Sequence, residues 1–327
     1  MKVTVFSTKR YDRNSLTETN RGRHEFTFIQ DRLRPETVAL AADADAVCAF
    51  VHDIIDEEVL RTLAENDCRL VALRCAGFNN VDLEAAQKYG VTVARVPAYS
   101  PYAVAEFAVG LILSLNRKIH RAYSRVREYD FSIDGLEGFD LHGKTVGVIG
   151  TGKIGVVFAG IMKGFGCKLL AHDPYPNEAM AALGAEYVPL PELFAQSDVI
   201  SLHCPLMKQT HHLIGPDALP QLKKGVMIIN TSRGALIDAN AAIQGIKERI
   251  IGSLGLDVYE EEEGIFFEDH SEGIMNDDRL LRLTSFPNVL ITSHQAFFTR
   301  DALANIADVT LRNLDEFAKD GACQHSL

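Results

Sequence analysis

The stretch "TVGVIGTGKIGVVFAGIMKGFG" sets Gly150, Gly152 and Gly155 as a G-x-G-x-x-G run between a β-branched segment and a helix-period segment. That is the context in which the motif binds a dinucleotide. Gly150 permits a tight turn, Gly152 lets a pyrophosphate approach backbone N–H groups, and Gly155 lets the helix lie close on the sheet. The phosphates would sit at the positive end of that helix. The next strand ends in "AHDPY", where Asp173 can accept from the ribose hydroxyls and would repel a 2′-phosphate. No arginine follows in "PYPNEAM", so the cofactor expected is NAD rather than NADP.

Hydride transfer to a carbonyl then requires a cation for an anionic substrate, a proton donor, and a group that keeps the donor protonated. Three strand ends supply candidates. "VMIINTSRGALID" puts Arg233, an always-charged planar fork, just after a buried run. "IGSLGLDVYEEEE" ends a strand at Asp257 and runs on into Glu260, Glu261, Glu262 and Glu263. "NVLITSHQAFFT" ends a third strand at His294. Singly, each has a plain explanation: a loop arginine in a surface ion pair, a solvated acidic run, a satisfied buried histidine. Together they point to a dehydrogenase, with the carboxylate that accompanies His294 still open among several.

Such residues need strands to present them. Short β-branched runs recur from "KVTVF" (2–6) to "VLITS" (289–293), separated by amphipathic stretches. Continuous apolar strands alternating with helical patterns imply parallel sheets covered on both faces, an α/β fold of two doubly wound units. The glycine fingerprint falls only in the second series. The join lies near "VPAYSP" (96–101), and the last helix, 300–320, follows the final strand and can return to the first unit. The expected domains are therefore 1–99 plus 299–327 and, inserted between them, 100–298.

A chain of 327 residues with 47% hydrophobic content suits two soluble domains, and a net charge of −11 with no basic stripe argues against a nucleic-acid partner. The apolar window 103–116 contains Glu106 and falls short of the roughly 20 residues a bilayer span requires, so it reads as a buried helix. "MKVTVFSTKRYDR" reads as a first strand rather than a secretory segment. The six cysteines show no CxxC or Cys/His spacing, as expected for reduced thiols in the cytoplasm with no metal site.

"GTGKIG" with Asp173, "NTSRG", "GLDVYEEE" and "SHQAF", in this order, resemble the D-isomer-specific 2-hydroxyacid dehydrogenases over essentially the whole chain, most closely their fermentative D-lactate dehydrogenase branch. The resemblance implies two flavodoxin-like (Rossmann) domains, the NAD domain inserted into a substrate domain, and a homo-oligomer, with the apolar helix 101–117 a candidate dimer interface. It makes Arg233 the substrate-carboxylate ligand, His294 the general acid/base and Glu262 its partner, leaving the other three glutamates as solvated neighbours. Asp257 would lie near the nicotinamide. Lys153, Ile154, Cys204, Pro205, Thr210, Thr231 and Ser232 match cofactor-contacting positions.

In the first domain "RCAGFNNVD" matches a loop whose amides, around Ala76 and Gly77, meet the substrate carboxylate; an N–H-rich turn is a natural anion nest. Tyr99 and Phe297 match aromatic positions near the substrate's C3, with Phe78 nearby, which suits a methyl group. "GIFFEDHSEGIMNDDRLLRL" resembles the D-lactate branch and supports pyruvate. The alternatives are another short 2-oxo acid, such as glyoxylate, hydroxypyruvate or phenylpyruvate, or an NADH-sensing interaction protein on the same scaffold.

Overall fold

A computed structural model describes the whole chain, residues 1–327, as two compact units. The first comprises Met1–Ser100 and Phe298–Leu327. Its strands are β1 (Lys2–Val5), β2 (Glu25–Phe28), β3 (Ala46–Ala49), β4 (Leu70–Leu73) and β5 (Thr92–Ala94), in the order β2-β1-β3-β4-β5 with every pair parallel. Helices α1 (Arg10–Asn20), α2 (Glu57–Glu65) and α3 (Leu83–Tyr89) and the C-terminal helix Arg300–Asp320 cover it. Alternate residues of the central strands serve opposite faces. Val3, Ala46, Leu70 and Ala72 pack with Leu16, Leu311 and Leu314, whereas Val47, Val71 and Leu73 pack with Val59, Leu60 and Leu63. Burial on both faces is why these strands are apolar throughout rather than alternating. Beyond the C-terminal helix the tail caps the sheet edge: Ser326 bridges Ala94 antiparallel, and Leu327 N donates to Val93 O at 2.9 Å.

The second unit, Pro101–Phe297, holds seven strands: β6 (Thr145–Ile149), β7 (Lys168–His172), β8 (Glu186–Tyr187), β9 (Val199–Leu202), β10 (Val226–Asn230), β11 (Ile251–Leu256) and β12 (Val289–Ile291). Their order is β12-β11-β10-β9-β6-β7-β8, again all parallel. The chain order reverses at β6/β9, where a doubly wound sheet opens a crevice beyond its carboxyl ends. Helices α4 (Pro101–Arg117), α5 (Ile119–Arg127), α6 (Lys153–Gly164), α7 (Glu178–Ala182), α8 (Leu190–Gln196), α9 (Ala239–Lys247) and α10 (Asp278–Thr284) complete the unit.

Two strands escape the apolar-run reading. β2, "EFTF", alternates exposed and half-buried residues, and β8 is only "EY"; both are edge strands, with one neighbour each. Helix α4 packs its apolar side within its own unit, burying Ala105, Ala108, Leu111, Ile112 and Leu115 against a core shared with Phe158, Met162 and Ile229. No helix is long and apolar enough to cross a membrane.

Candidate active site

The glycine turn is shaped by backbone rather than side chains. Gly150 has φ +93°, and a Cβ there would collide with the His203–Cys204 peptide; a Cβ on Gly155 would collide with the Gly150 carbonyl oxygen. The chain's own packing demands these two glycines. Gly152 differs: nothing of the chain lies within 4 Å of where its Cβ would be. It is the N-cap of α6, and no side chain caps the helix start at Lys153 and Ile154, so the first amides are available to an anion.

Asp173, just past β7, accepts from Thr151 N at 2.7 Å on one oxygen and from Tyr175 N at 2.9 Å on the other. Each oxygen retains a lone pair for a ribose hydroxyl. After β9, the turn "CPLMKQT" is closed by Thr210, whose Oγ1 donates to Pro205 O at 2.7 Å and accepts from Met207 N at 2.8 Å. Ser232 Oγ ties the next strand end to this turn by donating to Cys204 O at 2.7 Å. Beside it Thr231 is buried, and its hydroxyl has no hydrogen-bond partner within the chain.

Arg233 follows β10 directly. Its backbone carbonyl accepts from Asn230 Nδ2 at 2.8 Å, and its Nη1 donates to Ser232 O at 2.7 Å, leaving most of the guanidinium's donors to other acceptors. Gly234 is fitted against Tyr259: any Cβ there would strike the Tyr259–Glu260 peptide. That close approach brings the arginine turn against the segment that carries the glutamates.

His294 is built by Asp257. The Asp257 side chain is fully buried; Oδ1 accepts from Thr292 Oγ1 at 2.5 Å and Gln295 N at 2.9 Å, and Oδ2 from Ala296 N at 2.8 Å. The Asp257 carbonyl takes His294 N at 2.7 Å. Four contacts from one residue hold the turn in which His294 adopts φ +54°, a left-handed conformation costly to a side chain of this size. Burial pushes the Asp257 carboxyl up despite the hydrogen bonds and the neighbouring His294 that pull it down. Thus the aspartate matched to a nicotinamide contact also serves as the brace of the histidine turn.

The glutamate run is sorted by the structure. Glu262 Oε1 lies 2.8 Å from His294 Nδ1, and Oε2 accepts from Tyr259 N at 3.0 Å. Both side chains of the pair are largely buried, at 17% exposure each. A carboxylate only accepts, so Nδ1 is the donor and Nε2 is the nitrogen left to exchange a proton. Glu260, expected as solvated surface, is instead drawn in: it pairs with His212 Nε2, whose Nδ1 stands 3.6 Å from Asp238. Glu261 pairs with Arg279. Phe267, which no sequence signal singled out, stands with its ring 5.8 Å from the His294 ring and itself has φ +67°.

In the first unit, β4 runs into Arg74, buried and paired with Asp12 at 3.0 Å, and then into Cys75, Ala76 and Gly77. Neither the Ala76 nor the Gly77 amide donates within the chain. Tyr99 is half-buried, its carbonyl accepting from Asn305 Nδ2 at 2.7 Å, and Phe297, the last residue of the second unit, is buried. Phe298 packs edge-on against Tyr11 at 4.8 Å.

Residues 109–296 match the sequence model of the D-isomer specific 2-hydroxyacid dehydrogenase, NAD binding domain. The chain is 53% identical to the D-lactate dehydrogenase of Escherichia coli (strain K12), the alignment spanning 100% of both chains. The chain belongs to the D-isomer-specific 2-hydroxyacid dehydrogenase family. Solved structures agree. The pyruvate reductase of Chlamydomonas reinhardtii superposes with a TM-score of 0.93 at 44% identity, covering 98% of this chain and 97% of that one. A D-lactate dehydrogenase with NAD+ from Lactobacillus jensenii superposes at 0.83 with 32% identity, covering 100% and 99%.

This dehydrogenase is an oxidoreductase whose cofactor is NAD. Its own residues fit that group: an uncapped helix start with open space at Gly152, the buried unpartnered hydroxyl of Thr231, and Asp173 at the second strand end.

Proposed function

We propose that the enzyme reversibly reduces pyruvate to D-lactate. The observation that carries this reading is the His294–Glu262 pair, 2.8 Å apart just beyond strand ends of the NAD-binding sheet, in a chain that matches a D-lactate dehydrogenase over its full length. NADH, when bound, supplies the hydride that adds to C2. Arg233 holds the substrate carboxylate and polarises the carbonyl through its planar fork. His294 gives the Nε2 proton to the oxygen as the alcohol forms, and recovers it from the alcohol in the reverse direction. Glu262 stabilises the imidazolium that acts as donor and fixes the ring through Nδ1. The Lys153 and Ile154 amides with Gly150, Gly152 and Gly155 take the pyrophosphate; Cys204, Pro205, Thr210, Thr231 and Ser232 line the rest of the cofactor site, and Asp257, fully buried, acts behind it as the brace of the His294 turn. In the first unit, which we assign as the substrate domain, the Ala76 and Gly77 amides meet the substrate carboxylate; Tyr99 of that unit and Phe297 of the second restrict the space at C3.

The test is pyruvate-dependent loss of NADH absorbance, with the lactate enantiomer identified, alongside glyoxylate, hydroxypyruvate and phenylpyruvate. A higher kcat/KM for any of these three would move the substrate assignment, and L-lactate as product would sink it.

We further propose a cytoplasmic homodimer. All six cysteines are free thiols. The dimer face assigned is α5 and the segment after it, where Tyr123, Val126, Tyr129, Phe131 and Ile133 are exposed, Tyr129 at 84% and Ile133 at 82%. An apolar patch of this kind marks an association surface. Light scattering giving a monomer mass at micromolar concentration would refute it.

A further inference from the structure

Arg95 lies one residue past β5, outside every motif quoted above. Its Nη1 donates to Ala76 O at 2.9 Å, and its guanidinium carbon stands 4.9 Å over the Phe78 ring. Two grips thus close on either side of Gly77. The backbone of Arg95 is itself held: its N–H donates to His325 O at 3.1 Å, and its carbonyl accepts from Asn313 Nδ2 at 3.1 Å. Asn313 is fully buried.

The Ala76 carbonyl and the Gly77 N–H belong to one planar trans peptide and point in opposite directions. A cation that pins the carbonyl oxygen from one side therefore aims the amide to the other. It also polarises the peptide, because a charge-assisted bond at the oxygen strengthens donation at the nitrogen. The adjacent peptide is treated likewise, since the Cys75 thiol donates to Gly77 O at 3.3 Å.

We propose that Arg95 is the positioning residue of the substrate-carboxylate nest: it orients and polarises the Gly77 amide without touching substrate. The inference rests on the reading above that this turn meets the carboxylate. Arg233 holds the anion directly; Arg95 acts on it through one peptide group.

The experiment measures steady-state pyruvate reduction, the Ki of oxamate, which carries the carboxylate but accepts no hydride, and the NADH Kd by fluorescence, for wild type, Arg95→Met, Arg95→Lys and Phe78→Leu. Arg95→Met should raise the pyruvate KM and the oxamate Ki together by about tenfold, with a much smaller change in kcat and an unchanged NADH Kd. Arg95→Lys should recover part of the loss. Phe78→Leu, which keeps the arginine and removes the ring it stands over, should shift KM and Ki in the same direction by less, and it carries the test if Arg95→Met does not fold. Unchanged KM and Ki in both Arg95→Met and Phe78→Leu would overturn the proposal, as would kcat, KM, Ki and NADH Kd all worsening alike. Failure of the wild type to reduce pyruvate would instead overturn the substrate reading itself.

Discussion

Asp257 and Glu262 divide the work on His294. Asp257 grips the histidine turn through two backbone N–H groups and the Thr292 hydroxyl on its carboxylate and through the His294 N–H on its carbonyl, while Glu262 grips the ring. Removing each should therefore fail differently. His294→Gln should cut kcat for pyruvate reduction by roughly 10²–10⁴-fold with the NADH Kd retained; near-normal turnover would dismiss the histidine as proton donor. Glu262→Gln keeps a ring contact but loses the negative charge, so kcat should fall while Tm stays close to wild type, and full activity would show the charge to be unnecessary. Asp257→Asn places amide hydrogens opposite backbone donors, so it should lose stability by about 1–3 kcal/mol as well as activity. Equal Tm in the wild type and Asp257→Asn would count against its role as a brace.

The glycine turn between β6 and α6 separates what the fold needs from what the cofactor needs. A methyl on Gly155 meets a backbone oxygen, whereas one on Gly152 meets open space. Gly155→Ala should lower Tm by about 5 °C or more, through backbone overpacking. Gly152→Ala should leave Tm nearly unchanged and weaken NADH binding by about tenfold, because the methyl stands where the phosphates approach. The reverse pattern would mean that Gly152 serves the fold alone. The sequence makes this element legible because turn, strand and helix are contiguous, and the parallel α/β architecture was legible because doubly covered strands are continuous apolar runs. β2 and β8 were not, since edge strands lack that run. Nor could spacing show the contacts that assemble the site. Glu260 meets His212 across 48 residues and Asp257 reaches Ala296 across 39, distances along the chain that only the packed sheet closes. Phe267 carried no signal because a left-handed phenylalanine runs against local preference.

Across the whole molecule, acid stability should have an identifiable component. Burial pushes the His203 imidazole down to about 3; it lies 4.8 Å from the Phe158 ring and 2.9 Å from Ser201 Oγ. A base whose folded value lies below its unfolded value of about 6.5 takes its proton in the unfolded chain first, so its contribution is intact above that pH and is lost as pH falls toward 3. Tm should therefore fall more between about pH 7 and pH 5 in wild type than in His203→Gln; parallel slopes would assign the acid sensitivity elsewhere. The division of the chain has a further consequence, at synthesis. The first unit begins at Met1 but is completed by Phe298–Leu327, and Leu311 and Leu314 of its C-terminal helix cover Val3, Leu70 and Ala72. On the ribosome that sheet face waits bare until the inserted unit has been translated, on the order of ten to forty seconds at ~5–20 residues per second. Nascent chains halted before Phe298 should thus expose a sticky, chaperone-binding sheet face beside a unit already able to fold.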